Sequence, residues 1–220
     1  MNTRRQLLAL GAVAGMAGCL GEVLGDGPIV VSAQPAGIDA DVREEAGYDL
    51  VREESVELEE TVSALGVERD VRATNWFVEF GREIDLAGID LPTDDVNAGT
   101  VAVLSTPSVS VAGRSFNPVA TMSADELAEL IQSEYEGIDS LEELDEESAT
   151  VLDESTTVTR FAGEADLAGT GISVDVILHV SEAVSSGDDL VIVLGGYPAV
   201  VEEEEADRVR AMFGGVHHPA

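Results

Sequence analysis

The chain contains no lysine. All 11 of its basic residues are arginine, against 44 aspartates and glutamates, and it has one cysteine, one tryptophan and three tyrosines in 220 residues. Each shortage removes a class of function. A single cysteine forbids an intramolecular disulfide and any Cys-rich zinc or iron–sulfur site. With a formal net charge of −33 there is no basic stripe to neutralise phosphates, so nucleic acid is not an expected partner. So few aromatic rings also leave little with which to pave a carbohydrate cleft. No Walker or Rossmann glycine loop occurs; Gly195-Gly196 and Gly214-Gly215 read as a strand end and a tail.

The charge itself says something about solvent. Such a chain repels itself in dilute buffer, whereas at about 1 M salt the Debye length falls to roughly 3 Å and the repulsion is screened. A protein working in concentrated brine is the expectation, and the absence of lysine resembles proteins of haloarchaea. An acidic disordered chain is the other reading. It is set aside because 45% of residues are hydrophobic and regularly patterned, enough for one core.

The cysteine stands at position 19, in Met16-Ala17-Gly18-Cys19, behind an apolar stretch from Leu7 to Gly18 and a basic start at Arg4 and Arg5. That apolar run would make a helix of about 18 Å, short of the roughly 30 Å core of a bilayer. A basic start, a short apolar run and small residues before a junction describe an export signal. The paired arginines resemble the twin-arginine signal, and Met16 to Cys19 resembles a lipobox, in which cleavage precedes a cysteine that carries lipid. A buried thiol and an uncleaved N-terminal anchor are the alternatives. The expected organisation is a signal peptide over 1–18, Cys19 with a short tether over 19–27, and a single domain over 28–220.

Within that domain a strand is expected at Ile29 to Ala33, then a helix around Asp39 to Tyr48 with Asp39 as its cap. Val56 to Leu65 and Val67 to Leu86 read as strands. In the second, the apolar residues change parity near Asn75, which calls for a β-bulge or burial on both faces. Gly99 to Thr106 reads as the next strand, and Val109 to Phe116 as a hairpin about Ala112-Gly113. Ser123 and Glu126 form a capping box ahead of Leu127, Leu130, Ile131 and Tyr135, with Gly137 as the stop. Ser140 and Glu143 repeat the pattern and predict a short turn of helix through Leu144.

Thr156 to Leu167, Ile172 to Val184 and Leu190 to Gly195 read as three consecutive antiparallel strands, joined at 169–171 and 185–189. The last is apolar on both faces, as a central strand should be. Glu202 to Glu205 then opens a helix carrying Val209, Met212 and Phe213, its acids opposing the helix dipole. Strands and helices are segregated, so the expected fold class is α+β: a mostly antiparallel β-sheet with helices packed on it.

The closing order of long hairpin, buried strand, Tyr197-Pro198 and amphipathic helix resembles the PsbP-type α-β-α sandwich over roughly the last 60 residues. The export signal, Val71-Arg72-Ala73-Thr74-Asn75-Trp76 and Ser115-Phe116-Asn117-Pro118 resemble an uncharacterised family of haloarchaeal lipoproteins. That resemblance implies no site residues.

Chemistry is sparse. His179 lies on an apolar strand and reads as packed or surface-borne; His217 and His218 stand near the C-terminus, where fraying is the default. No EF-hand spacing occurs, and Asp85, Asp90, Asp94 and Asp95 read as solvated loop residues. Gly113-Arg114-Ser115-Phe116-Asn117 lacks the closing glycine of a nucleophile elbow. A Ser-His-Asp set or a carboxylate pair could assemble in three dimensions, but no local motif announces one. No catalytic residue, metal or cofactor is therefore expected. Arg72, Asn75 and Trp76, with Arg114 and Asn117, are the candidate interface, against a core role for Trp76 and a turn role for the Arg114 segment. The expectation is a lipid-anchored extracytoplasmic binding or accessory module, held to the membrane through Cys19 and serving a membrane or envelope protein. A salt-adapted extracellular hydrolase and a structural envelope protein are the alternatives.

Overall fold

The computed structural model describes residues 28–64, 67–84, 97–108, 110–111, 114–115, 122–128, 138–167 and 172–219. The export signal, Cys19 and its tether lie outside these residues, as do Asn117, the turns at 112–113 and 169–171, Asp85, Asp90, Asp94 and Asp95, and the helical positions from Leu130 to Gly137.

The strands are β1 (Ile29–Ser32), β2 (Gly37–Ile38), β3 (Asp49–Ala64), β4 (Val67–Glu83), β5 (Asn97–Pro107), β6 (Ser110–Val111) and β7 (Arg114–Ser115). They continue with β8 (Ile138–Val151), β9 (Glu154–Leu167), β10 (Ile172–Ser181), β11 (Val184–Ser186), β12 (Asp189–Pro198) and β13 (Val216–His217). Helix α1 spans Ala40–Ala46 and α2 spans Glu202–Gly214. Nine strands form one mixed sheet in the order β1-β4-β5-β12-β10-β9-β8, with β3 on the far side of β4 and β11 beside β12. Every pairing in that sheet is antiparallel except β1 with β4. The fold is α+β, as its segregated elements predict.

Strand β12 is central and buried on both sides. Val191 and Val193 point to one face, where Val209, Met212 and Phe213 of α2 complete a core with Val101, Val103 and Tyr48. Leu190, Ile192 and Leu194 point to the other, where Ile192 meets Phe161, Val180, Leu127 and Ala128. Residues 124–128 are helical and open on the expected capping box. The Ser123 N–H donates to Glu126 Oε2 at 2.8 Å and the Glu126 N–H to Ser123 Oγ at 3.3 Å. The sheet thus lies between helices on both faces.

Near Asn75 the second of the two readings holds. Strand β4 pairs with β3 in unbroken register from Glu79 to Val67, with no bulge, and Val71 and Asn75 are buried on one of its faces while Val78 and Phe80 are buried on the other. Three local expectations need correction. The helical turn at Ser140–Leu144 is instead part of β8, with Ser140 at φ 56 and two register shifts against β9. Helix propensity is a weak prior, and pairing along β9 overrides it. The β8–β9 turn, Leu152-Asp153, has φ 54 and 61, the left-handed pair of a type I′ hairpin. Asp39 occupies the N-cap of α1 without a capping side-chain bond; its carboxylate faces His217 Nδ1 at 3.4 Å. Finally, the C-terminal histidines are held rather than frayed, because β13 pairs with β2.

Candidate functional site

Strand β3 is an edge strand, and residues 49–59 are exposed along it. Alternation puts Val56 and Leu58 on one face, side by side, at 44% and 57% exposure. Across the ladder they stand opposite Asn75 and Ala73 of β4, and Ala73 in turn stands opposite Val31 of β1. These side chains form an apolar strip around Asn75, which is itself 7% exposed and whose Oδ1 has no hydrogen-bond partner. Glu57 and Glu59 lie exposed on the same strand, pointing to the opposite face. Apolar strip and buried amide together make a surface suited to a partner protein.

Two polar clusters lie under α2 instead. In the first, His179 Nε2 is 2.9 Å from the Tyr197 hydroxyl, both buried. Burial, then the cations of Arg160 and Arg210, drives His179 down to about 4, and burial foremost pushes Tyr197 up to about 12. Tyr197 therefore keeps its proton, and the hydrogen bond joins a phenol to a neutral imidazole. His179 Nδ1 is 3.4 Å from Glu147 Oε1, outside hydrogen-bond geometry, and that buried oxygen has no partner. Glu147 Oε2 is held by Arg210 at 3.0 Å, while Arg160 binds Asp145 and Glu202.

In the second cluster Glu205, fourth of the glutamates opening α2, is 0% exposed. Its carboxylate pairs with Arg82 and accepts from the Tyr48 hydroxyl at 3.2 Å. Burial, followed by the Glu205 charge, raises the Tyr48 phenol. Among the described residues no group of three or more histidine, cysteine or acidic side chains could hold a metal ion, and no helix is long and apolar enough to cross a membrane.

Residues 35–217 match the family described as Domain of unknown function (DUF6517). The chain belongs to this family. No curated protein matches it. Among solved structures, the solution structure of cyanobacterial PsbP (CyanoP) from Synechocystis sp. PCC 6803 resembles it weakly. That likeness has 9% identity, covers 85% of this chain and 93% of that chain, and has a TM-score of 0.36.

The DUF6517 domain brings together only part of the surface marked out by sequence. Asn75 sits in the apolar strip. Trp76, its neighbour on the strand, points to the opposite face and is half-buried, as is alternation's consequence. Arg72 lies on the Trp76 side, exposed and paired with Glu59. Arg114 belongs to the small β6–β7 hairpin, opposite Val111. Sequence reading missed Val56 and Leu58 as surface residues because alternation alone does not say which face of an edge strand is covered. It missed Glu205 as a buried ion because four consecutive glutamates look uniformly solvated. The signal was present: Glu205 stands four residues before Val209, on the core stripe of α2.

Proposed function

We propose that this DUF6517 chain is a lipid-anchored extracytoplasmic binding or accessory module that grips a membrane or envelope protein through the β3–β4 edge. The observation that carries the surface is the exposed pair Val56 and Leu58 beside the buried, unpartnered Asn75 amide. Support for the anchor comes from Arg4 and Arg5, the short apolar run and Cys19. In this reading the leader leaves at residue 18, Cys19 carries lipid, and the few residues up to Ile29 hold the domain near the membrane. The acid-rich, lysine-free composition fits work in concentrated salt, as in the haloarchaeal lipoproteins it resembles.

The test has two arms, both in native salt. Replacing Cys19→Ser should move the protein from the membrane fraction to the soluble one; unchanged membrane association defeats the anchor. A photo-crosslinker at position 58 should capture one defined envelope protein, lost on Val56→Glu, while a crosslinker at the exposed Val200 should not. Equal capture from positions 58 and 200 defeats the surface.

A further inference from the structure

The C-terminal histidine His218 and the β11–β12 turn bring together three groups that neither the fold's core nor the β3–β4 surface uses. His218 Nδ1 is 3.0 Å from Ser186 Oγ. On the other side of the ring, Nε2 is 3.2 Å from Asp189 Oδ2 and 3.1 Å from the Gln34 carbonyl oxygen. The imidazole is enclosed, with 1% of its side chain exposed, whereas Ser186 is half-buried.

These partners settle the tautomer. A carbonyl oxygen and an ionised carboxylate accept hydrogen bonds and cannot donate them, so Nε2 must carry the hydrogen. In the neutral ring Nδ1 is then the bare nitrogen, and it faces a hydroxyl that can give up a proton. Asp189 is fixed in turn by the Gln34 N–H, which donates to Oδ2 at 2.8 Å. The order is nucleophile, base with the correct tautomer, and a carboxylate that orients and supports the base. Sequence spacing could not show it: Ser186 and Asp189 share a turn, but His218 arrives only because β13 pairs with β2.

We propose that Ser186, His218 and Asp189 form an acyl-transfer site that hydrolyses uncharged carboxylic esters. Ser186 Oγ bonds to the ester carbonyl carbon as its proton passes to His218 Nδ1. The C–O bond to the alcohol breaks, and Nδ1 returns the proton to the departing oxygen. Water then gives a proton to Nδ1 and its hydroxyl to the acyl carbon; the bond to Oγ breaks and Ser186 regains the proton, releasing the acid. Nε2 donates to the Gln34 carbonyl throughout, and the charge of the Asp189 carboxylate, 3.2 Å away, steadies the transient imidazolium. The exposed acids Glu182 and Asp188 beside the turn disfavour anionic substrates, which sets the preference for uncharged ones.

The test treats the full chain with a fluorophosphonate probe and maps the adduct by mass spectrometry, alongside hydrolysis of p-nitrophenyl acetate. A single adduct on Ser186 is expected, absent in Ser186→Ala and slowed by roughly 10²-fold or more in His218→Gln, the scale of losing a general base. Ser186→Ala loses only a hydroxyl at a half-buried position, and its unchanged circular dichroism keeps the test decisive if His218→Gln fails to fold. No adduct on the wild-type chain, or labelling that survives Ser186→Ala, overturns the proposal and leaves His218 as a structural clasp.

Discussion

His179 and Tyr197 meet at 2.9 Å on neighbouring antiparallel strands, beneath a helix that excludes water from both. Burial keeps the imidazole and the phenol neutral, and the adjoining cations of Arg160 and Arg210 further oppose protonation of the imidazole. The pair thus makes a local chemical balance into a property of the whole fold.

Stability should fall as His179 is forced to protonate. Its folded value of about 4 lies below the ordinary 6.5, so the unfolded chain binds the extra proton first. The contribution is complete above pH 6.5 and is lost as pH drops toward 4; the full shift corresponds to roughly 3 kcal/mol. Urea unfolding at constant salt should show wild type losing about that much more than His179→Gln between pH 7 and pH 4. Parallel losses in the two proteins would remove His179 as the cause.

Arg82 should matter more than its position near a strand end suggests. Removing it in Arg82→Met leaves the buried Glu205 carboxylate with only the Tyr48 hydroxyl and Arg208, 3.4 Å away, at an expected cost of up to about 3–5 kcal/mol. The double variant Arg82→Met/Glu205→Leu should recover much of that loss. A double-mutant cycle by chemical denaturation checks it, and additive losses would show that the two side chains are not coupled.

Helix α2 lies directly on β12 at Gly195. A Cβ added there would stand 2.5 Å from Val209 Cγ1, closer than packing allows. Gly195→Ala should therefore lower stability by about 1–3 kcal/mol, the usual cost of overfilling a core. Adding Val209→Ala should relieve part of it. A melting temperature unchanged by Gly195→Ala would mean that α2 can slide off the strand freely.

The capping box is a smaller, cleaner case. Ser123→Ala removes one of two reciprocal hydrogen bonds and should cost about 1 kcal/mol. Ser123→Asp should restore most of it. If Ser123→Ala is neutral by thermal melting, the helix start draws its stability from Leu127 and Ala128 alone.

Salt should raise stability steadily. With a formal net charge of −33, the folded chain gains from shortening the Debye length from about 10 Å at 0.1 M to roughly 3 Å at 1 M. Melting temperature should climb across that range in sodium chloride. A flat response would show that the double-sided core suffices without screening.

The sequence by itself determined whatever is written in neighbouring residues. Lysine-free acidity, the Ser123–Glu126 capping box, the amphipathic α2, the alternation of β10 and the apolar run of β12 all depend on spacings of a few positions, and local sterics and hydrogen bonding act over that range. Tertiary structure decided the rest. Residues 140–144 became strand because β9 offered a ladder; Glu205 became a buried ion because Arg82 comes to meet it from β4 and Tyr48 from the position just before β3. His218 joined Ser186 and Asp189 only through the β2–β13 pairing. In each case the deciding partner is far away in sequence, and the free energy of burial and pairing it supplies exceeds the local preference it overrides.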